Sequence, residues 1–416
     1  MKKIYGVVFC LLLSVFSLSA QVKLSEEATV SLLTASPWYR AVYAMFGHSA
    51  IRVRDDSTGV DVAYNYGFFD SSRPFFIYYF MRGETDYILG DTTLREFLLE
   101  YGSKGQQVTE QTLNFSAAEK QQLYNALYEN ALPENREYRY NFFYDNCATR
   151  PRDMVEKFAH GTIRYPETTK EQSYRDLVHE CVHGYPWIEF GIDLLIGTEA
   201  DKTIDVREKM FLPTYLMHAL EGAVLQVNDT LSHPVVAHTE ILLEADKEIN
   251  KECERIWFTP IVTAFALLLV TCIVSFVQWK QCRRTKFLKI YDSCLFGIAG
   301  IAGVIIFFLI CFSEHPATNP NWNLAWLHPV ALIATVLFWV RSAGKVVYFY
   351  HLINFVLLTF FILLSWLIPQ QLSLAAVVFS AVLWCRSGVN IWVFRKKRLH
   401  DNRFVSSKYL KAGWGQ

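Results

Sequence analysis

The sequence lacks net charge. Its 416 residues carry 40 Lys and Arg against 40 Asp and Glu, and no basic stripe interleaved with aromatics stands outside the loops of its apolar half, which excludes nucleic acid as a partner. Charge is also missing locally: from Trp257 to Phe394 ionisable residues nearly vanish outside two short clusters, whereas they crowd between Lys23 and Arg255. The main boundary therefore falls near residue 256. A second pair of metal ligands is missing too. His179-Glu180-Cys181-Val182-His183 would present His179, Cys181 and His183 together only if extended, and nothing completes the set at a metal-site spacing. The run reads as the surface of a helical linker, and neither a metal nor another cofactor is expected. Finally, the cysteines do not pair off. Of nine, Cys10 lies in the leader, Cys272, Cys282, Cys294, Cys311 and Cys385 in the apolar half, and Cys147, Cys181 and Cys253 outside it. Three is odd, so at least one thiol stays unpaired within the chain in a compartment that favours disulfides.

What is present is apolar and aromatic: 52% of residues are hydrophobic, with 31 Phe, 22 Tyr and 11 Trp. In a chain longer than one typical domain this points to a soluble part joined to a membrane part. The start reads Met1-Lys2-Lys3, an apolar run from Val7 to Leu18, then Ser19-Ala20-Gln21, the layout of a secretory signal. Leu18 is imperfect for cleavage, and the alternative is a retained anchor.

A membrane crossing needs about 20 apolar residues. The segments Trp257–Trp279, Ser293–Phe312, Trp322–Val340, Val346–Ile368 and Leu372–Phe394 each supply such a run. Lys280, Arg283, Arg284, Lys286 and Lys289 follow the first, Arg341 and Lys345 the third, and Arg395, Lys396, Lys397, Arg398 and Arg403 the fifth. By the positive-inside rule these loops are cytoplasmic. The alternate loops, Ser313–Asn321 and Pro369-Gln370, carry no Lys or Arg. Residues 21–255 then lie outside the cytoplasm, in the periplasm of an inner-membrane protein whose C-terminus is cytoplasmic. Arg386 inside the fifth segment is expected to snorkel toward the basic end, and His328 and His351 to pack near span ends. The loop Glu314–Trp322 either contacts a polar headgroup or is a turn.

In the soluble half, Gly47–Arg54 and Val60–Tyr66 read as a hairpin across Asp55–Gly59, which brings Asn65 near His48. Ser116-Ala117-Ala118-Glu119 is a capping box opening a helix to about Ala131. Tyr138–Asp153 supplies an aromatic approach, a polar cap and a helix beginning near Cys147, where unpaired amides favour thiolate. A nucleophilic cysteine needs a base and a group that orients the base; His48 and Asn65 are the candidates. Against this stands a small buried cysteine and a strand histidine with no chemistry. Residues 185–217 are more apolar than a linker requires, and either rest on the membrane part or pack in the soluble core.

Several of these stretches are shared with a known group. Ser31-Leu32-Leu33-Thr34, Met45–Val53, Tyr64-Asn65-Tyr66-Gly67, Pro133-Glu134-Asn135-Arg136 and Tyr140–Asp153, with Asn146-Cys147-Ala148-Thr149-Arg150 the most specific, followed by five spans, resemble the Lnb family, the lipoprotein N-acyltransferases of Bacteroides-type bacteria. The order of histidine then cysteine is similar to that of the permuted NlpC/P60 and lecithin:retinol acyltransferase group. The resemblance implies an α+β fold: a permuted papain-like, NlpC/P60-like periplasmic domain followed by a five-helix transmembrane bundle. It implies Cys147 as nucleophile, His48 as base and Asn65 third, with Asp145 or Tyr64 behind it. Thr34-Ala35-Ser36-Pro37-Trp38 departs from the family where many relatives carry a cysteine and a glycine.

The expected division is 1–20 signal, 21–160 thiol acyltransferase domain, 161–255 helical extension at the membrane surface, 256–398 spans and 399–416 cytoplasmic tail. The expected activity moves an acyl chain from a membrane phospholipid, through a cysteine thioester, to the α-amine of a diacylated lipoprotein. Arg150 and Arg152, whose guanidinium groups suit phosphate, with Asn146 and Tyr64, are the expected substrate-binding residues. A membrane-tethered cysteine peptidase or cell-wall amidase and a non-enzymatic sensor or scaffold are the rival classes.

Overall fold

The structure, a computed structural model, describes residues 22–412 apart from 169 and 252–256, and for 398–412 the backbone course alone. The expected signal, Cys10 and Cys253 lie outside the described residues.

β1 (Thr29–Ala35) and the expected hairpin, β2 (His48–Asp55) and β3 (Val60–Phe68), lie at the centre of a seven-stranded antiparallel sheet. In the hairpin Ala50 stands opposite Asn65 and Asp55 opposite Val60. A short helix α1 (Phe76–Arg82) leads to β4 (Asp86–Thr92), then α2 (Leu94–Ser103), β5 (Val108–Leu113), α3 (Ala117–Ala131), β6 (Glu137–Arg139) and α4 (Thr149–Phe158). The Ser116–Glu119 capping box opens α3 as expected. Side chains alternate across a strand, and the two faces acquire separate cores. Leu33, Ala35, Ala50 and Ala63 meet Phe97 and Tyr101 of α2. Leu32, Ile51, Val53, Tyr64 and Tyr66 meet Leu123 and Leu127 of α3 and Val155 of α4.

The stretch expected to be a helical extension is more than that. It contains β7 (Thr162–Arg164), α5 (Tyr174–Cys181), α6 (Pro186–Leu195), α7 (Val206–Lys209), α8 (Pro213–Glu221), β8 (Val224–Gln226), β9 (Ser232–Pro234) and β10 (Val236–Leu243). β10 pairs with β5 and closes one edge of the main sheet, giving the order β10-β5-β1-β2-β3-β4-β6. Periodicity within 161–255 does not reveal this, because the partner strand lies more than a hundred residues earlier. The apolar run 185–217 divides between its two expected fates. Met210 and Leu216 join the sheet's core, while α6 docks on the membrane part.

That docking is polar as well as apolar. Gly197 N–H donates to Ala317 O at 2.7 Å and Thr198 N–H to Pro320 O at 2.9 Å. Asn321 Nδ2 donates to Leu194 O at 2.9 Å, and Asn323 Nδ2 to Asp193 O at 3.0 Å. The loop after the second span is thus a bracket for the soluble domain.

The membrane part departs from the expected five-helix bundle. α9 (Pro260–Gln281), α10 (Lys286–Phe312), α12 (Gly344–Leu364) and α13 (Leu374–Ala412) each contain a long apolar run, and among the described residues four helices are long and apolar enough to cross a membrane. The expected third span holds only the eight-residue α11 (Val330–Leu337), which rises roughly 12 Å against about 30 Å of hydrocarbon. Pro329 stands at its N-cap, and the turns before it cannot extend the helix backwards. The segment still runs beside α10. Trp322 N–H donates to Gln370 Oε1 at one end, and Trp339 Nε1 to Ser293 Oγ at the other. Gly300 and Gly303 permit that approach: a Cβ on Gly300 would stand 2.4 Å from Leu332 N.

Arg386 does not snorkel. It is fully buried, 2.7 Å from Asp292 of α10, and donates to Ser275 and Gln278 of α9. His351 is equally buried, beside Ser387, and His328 bonds Asn354 at 2.9 Å. Spacing within one span does not reveal partners carried by other helices, so a polar core reads as interfacial residues.

Candidate active site

The segment before α4 is shaped by two asparagines. Asn141 Oδ1 accepts from Phe143 and Tyr144 N–H. Asn146 Oδ1 accepts from Ala148 N–H at 2.8 Å and Thr149 N–H at 2.9 Å, and its own N–H donates to Thr149 Oγ1 at 2.7 Å. Its Nδ2 donates to Phe142 O and Phe211 O. Asn146 is therefore the side chain that satisfies the first amides of the helix, and has no hydrogen-bonding capacity left for substrate. The helix begins at Thr149, leaving Cys147 just ahead of it. The amides expected to favour thiolate are consumed by the cap.

Cys147 is a free thiol, as is Cys181. It lines a cavity of about 250 Å³ with His48, Asn65, Gly67, Phe69, Tyr87, Tyr101 and Tyr140. The strand register brings these together: His48 begins β2, and Asn65 lies on the same face of β3, one diagonal step away. Gly67 sits where the β3–β4 pairing shifts register, at φ +115°, a bulge beside the site. A Cβ there would stand 3.6 Å from Cys147 Cβ and 3.8 Å from His48 Cε1. Gly67 thus borders both residues, and its positive φ, rather than lack of room, is what disfavours a side chain there.

His48 Nε2 lies 3.2 Å from Asn65 Oδ1. Asn65 Nδ2 donates to Thr92 Oγ1 at 2.9 Å and to Ala63 O at 3.3 Å, so its amide oxygen must face the ring and accept from Nε2–H. That leaves Nδ1 as the basic nitrogen. The ring stacks on Tyr101 at 5.9 Å. Burial lowers the imidazole to about 4, opposed by the Asn65 bond and by Glu100. Burial likewise pushes the Cys147 thiol up to about 11, opposed by the N–H groups of Ser49 and of Cys147 itself. Near neutral pH both groups are uncharged, contrary to the thiolate expected from a helix start.

The other expected residues stand elsewhere. Tyr64 is adjacent to Asn65 and so projects to the opposite face, into the α3–α4 core, and does not line the cavity. Asp145 is bound to Arg150, 2.5 Å away, and the Arg150 guanidinium lies 3.7 Å over the Tyr138 ring. Arg152 is buried, paired with Asp153 and donating to Arg207 O. Both arginines are held within the protein and neither lines the cavity. Of the histidine–cysteine run, His179 meets Asp193 at 2.8 Å with Glu189 near by, while Cys181 packs in a separate apolar cluster. Asp193 already faces the Arg175 guanidinium at 2.8 Å. A larger, almost wholly apolar cavity of about 840 Å³ lies between α11 and α12.

Sequence reasoning missed Thr92, Gly67 and Tyr101. Only the Tyr64-Asn65-Tyr66-Gly67 stretch carried a signal for one of them: a glycine amid bulky strand residues marks a bulge or a close approach.

Comparison with known families divides the chain at the same place as its composition. The family model described as the Lnb N-terminal periplasmic domain matches residues 18–180, and the one described as the Lnb transmembrane domain matches residues 251–398. No curated protein and no solved structure matches the chain. With a periplasmic domain and membrane-crossing helices matched in order, this inner-membrane protein with a periplasmic N-terminal domain belongs to the Lnb family.

Proposed function

We propose that this protein is a lipoprotein N-acyltransferase working through Cys147, in a periplasmic domain of permuted papain-like kind. The observation that carries the reading is that Cys147, His48 and the Asn65 bonded to it line one cavity walled by aromatic rings. Family membership supports the reaction class.

In the first half-reaction Cys147 Sγ attacks the carbonyl of a phospholipid acyl ester while its proton passes to His48 Nδ1. Because thiol and imidazole both rest neutral, proton transfer accompanies attack rather than preceding it. The tetrahedral oxyanion is met by the N–H groups nearest the sulfur, those of Ser49 and Cys147. Collapse breaks the ester C–O bond, His48 returns the proton to the departing alcohol, and a thioester remains. In the second half-reaction the α-amine of an S-diacylglyceryl cysteine attacks that carbonyl. His48 accepts the amine proton and passes it to the leaving thiolate, which regenerates Cys147. Asn65, held by Thr92, keeps the imidazole in the required tautomer.

The basic clusters that follow α9 and that fill the last turns of α13 favour the cytoplasmic side, so the C-terminus is cytoplasmic. The segment containing α11 then descends the bundle as a broken crossing. Domain and spans together hold the thiol at the outer leaflet, where donor and acceptor both reside, which supplies proximity.

The test is mass spectrometry of the N-terminal peptide of a reporter lipoprotein, in cells without an endogenous N-acyltransferase. A third acyl chain that appears with this chain and not with Cys147→Ser supports the proposal. A diacyl peptide in both, with folded protein in the membrane, sinks it.

A further inference from the structure

The helix between β3 and β4 leaves its apolar side chains uncovered. No residue of α1 is buried. Phe75, Ile77, Tyr78 and Phe80 are 78%, 73%, 46% and 44% exposed, and Phe75 is held at φ +60°, a left-handed conformation that bulky residues rarely adopt. A contiguous apolar patch of this kind marks an interaction surface.

Its place in the molecule says what covers it. The Tyr78 ring lies 6.0 Å from that of Phe308, which belongs to α10 and lies inside the apolar span rather than beyond it. His315 Nε2 donates to Phe80 O at 2.9 Å, and Glu314 N–H to Arg82 O at 2.8 Å. α1 is thus tied to the outer end of a membrane helix, and the medium on its free side at that level is lipid. Arg73 and Arg82 flank it, over the Tyr79 and Tyr78 rings, as cations at a headgroup boundary do.

From α1 an unbroken row of rings leads to the thiol. Phe80 and Phe76 are 6.2 Å apart, Phe76 and Phe69 5.5 Å, Phe69 and Tyr87 5.0 Å, Tyr87 and Tyr140 4.1 Å. The last three line the Cys147 cavity. We infer that α1 is seated in the outer leaflet and that this aromatic row guides the acyl chain of a membrane phospholipid from the bilayer to Cys147. The seating stands on the contacts above; the destination rests on the acyltransferase reading. A lipid is favoured over a protein partner because the patch continues the lipid-facing surface of α10 and its basic residues lie at the rim.

The test uses the full chain in phosphatidylethanolamine and phosphatidylglycerol vesicles containing a phospholipid with a diazirine on its acyl chain. After irradiation, adducts mapped by mass spectrometry are expected on the 75–80 stretch and on Phe69, besides the spans. Adducts confined to the spans overturn the seating, whatever the activity. Adducts on 75–80 with no Cys147-dependent transfer sink the acyltransferase reading and leave the seating intact. The double variant Phe75→Asp, Ile77→Asp is expected to lower Cys147 acylation by vesicle phospholipid at least tenfold relative to acylation by the water-soluble ester p-nitrophenyl butyrate. An equal fall with both donors overturns the guiding role.

Discussion

His48 Nε2 stands 3.2 Å from Asn65 Oδ1, and because Thr92 holds the Asn65 amide from behind, this contact decides which imidazole nitrogen is basic. Asn65→Ala frees the ring to choose its tautomer and orientation. Its acyl-transfer kcat should fall on the order of tenfold to a hundredfold, within the range that positioned general bases supply. Thr92→Val should cause a smaller loss in the same constant with little change in KM. A loss in KM alone would argue that these residues hold substrate instead.

The half-buried, neutral thiol has a measurable signature. Alkylation of Cys147 by iodoacetamide should be slow at pH 7 and keep rising toward about pH 11, since only thiolate reacts. A preformed thiolate–imidazolium pair would instead give fast alkylation already at pH 6. Peptide mapping separates Cys147 from the other thiols.

The imidazole adds a pH dependence of stability. Its value is lowered from 6.5 to about 4, so the unfolded chain binds the proton more readily than the folded one. The stabilisation is therefore complete above pH 6.5 and is lost as pH falls toward 4, at up to about 1.4 kcal/mol per pH unit. Thermal unfolding of the wild type between pH 7 and 4 should show this loss, and His48→Gln should flatten it. Identical pH slopes would mean that His48 is not buried neutral.

Gly67→Ala tests the bulge beside the site. The position has φ +115° and looks onto both Cys147 and His48. The substitution should cost roughly 1–3 kcal/mol in stability through backbone strain, and relief of that strain should shift the strand end beside the site and lower transfer even in molecules that fold. Retained transfer at wild-type rate would show that the bulge does not position the site.

In the membrane, Arg386→Ala leaves Asp292 buried without its partner, an arrangement that costs about 3–5 kcal/mol in soluble proteins. Arg386→Leu combined with Asp292→Leu should be milder than either single change. Melting curves in detergent distinguish this from independent contributions, which would simply add.

By itself the sequence determined the division into two parts, the hairpin that aligns His48 with Asn65, and the polar turn that presents Cys147. Each is local: a run of apolar residues, a period of two, or a cap with its helix. Such patterns follow from backbone geometry and solvent contrast within a short window. Four things were decided by the tertiary structure. Asn146, Arg150 and Arg152 are consumed by partners inside the fold. β10 leaves the linker to close the sheet. Arg386 finds Asp292 on another helix. The third apolar run forms only a short helix beside α10. Each depends on a group distant in sequence, and hydrogen bonding and charge pairing at short range depend on which atoms meet in space.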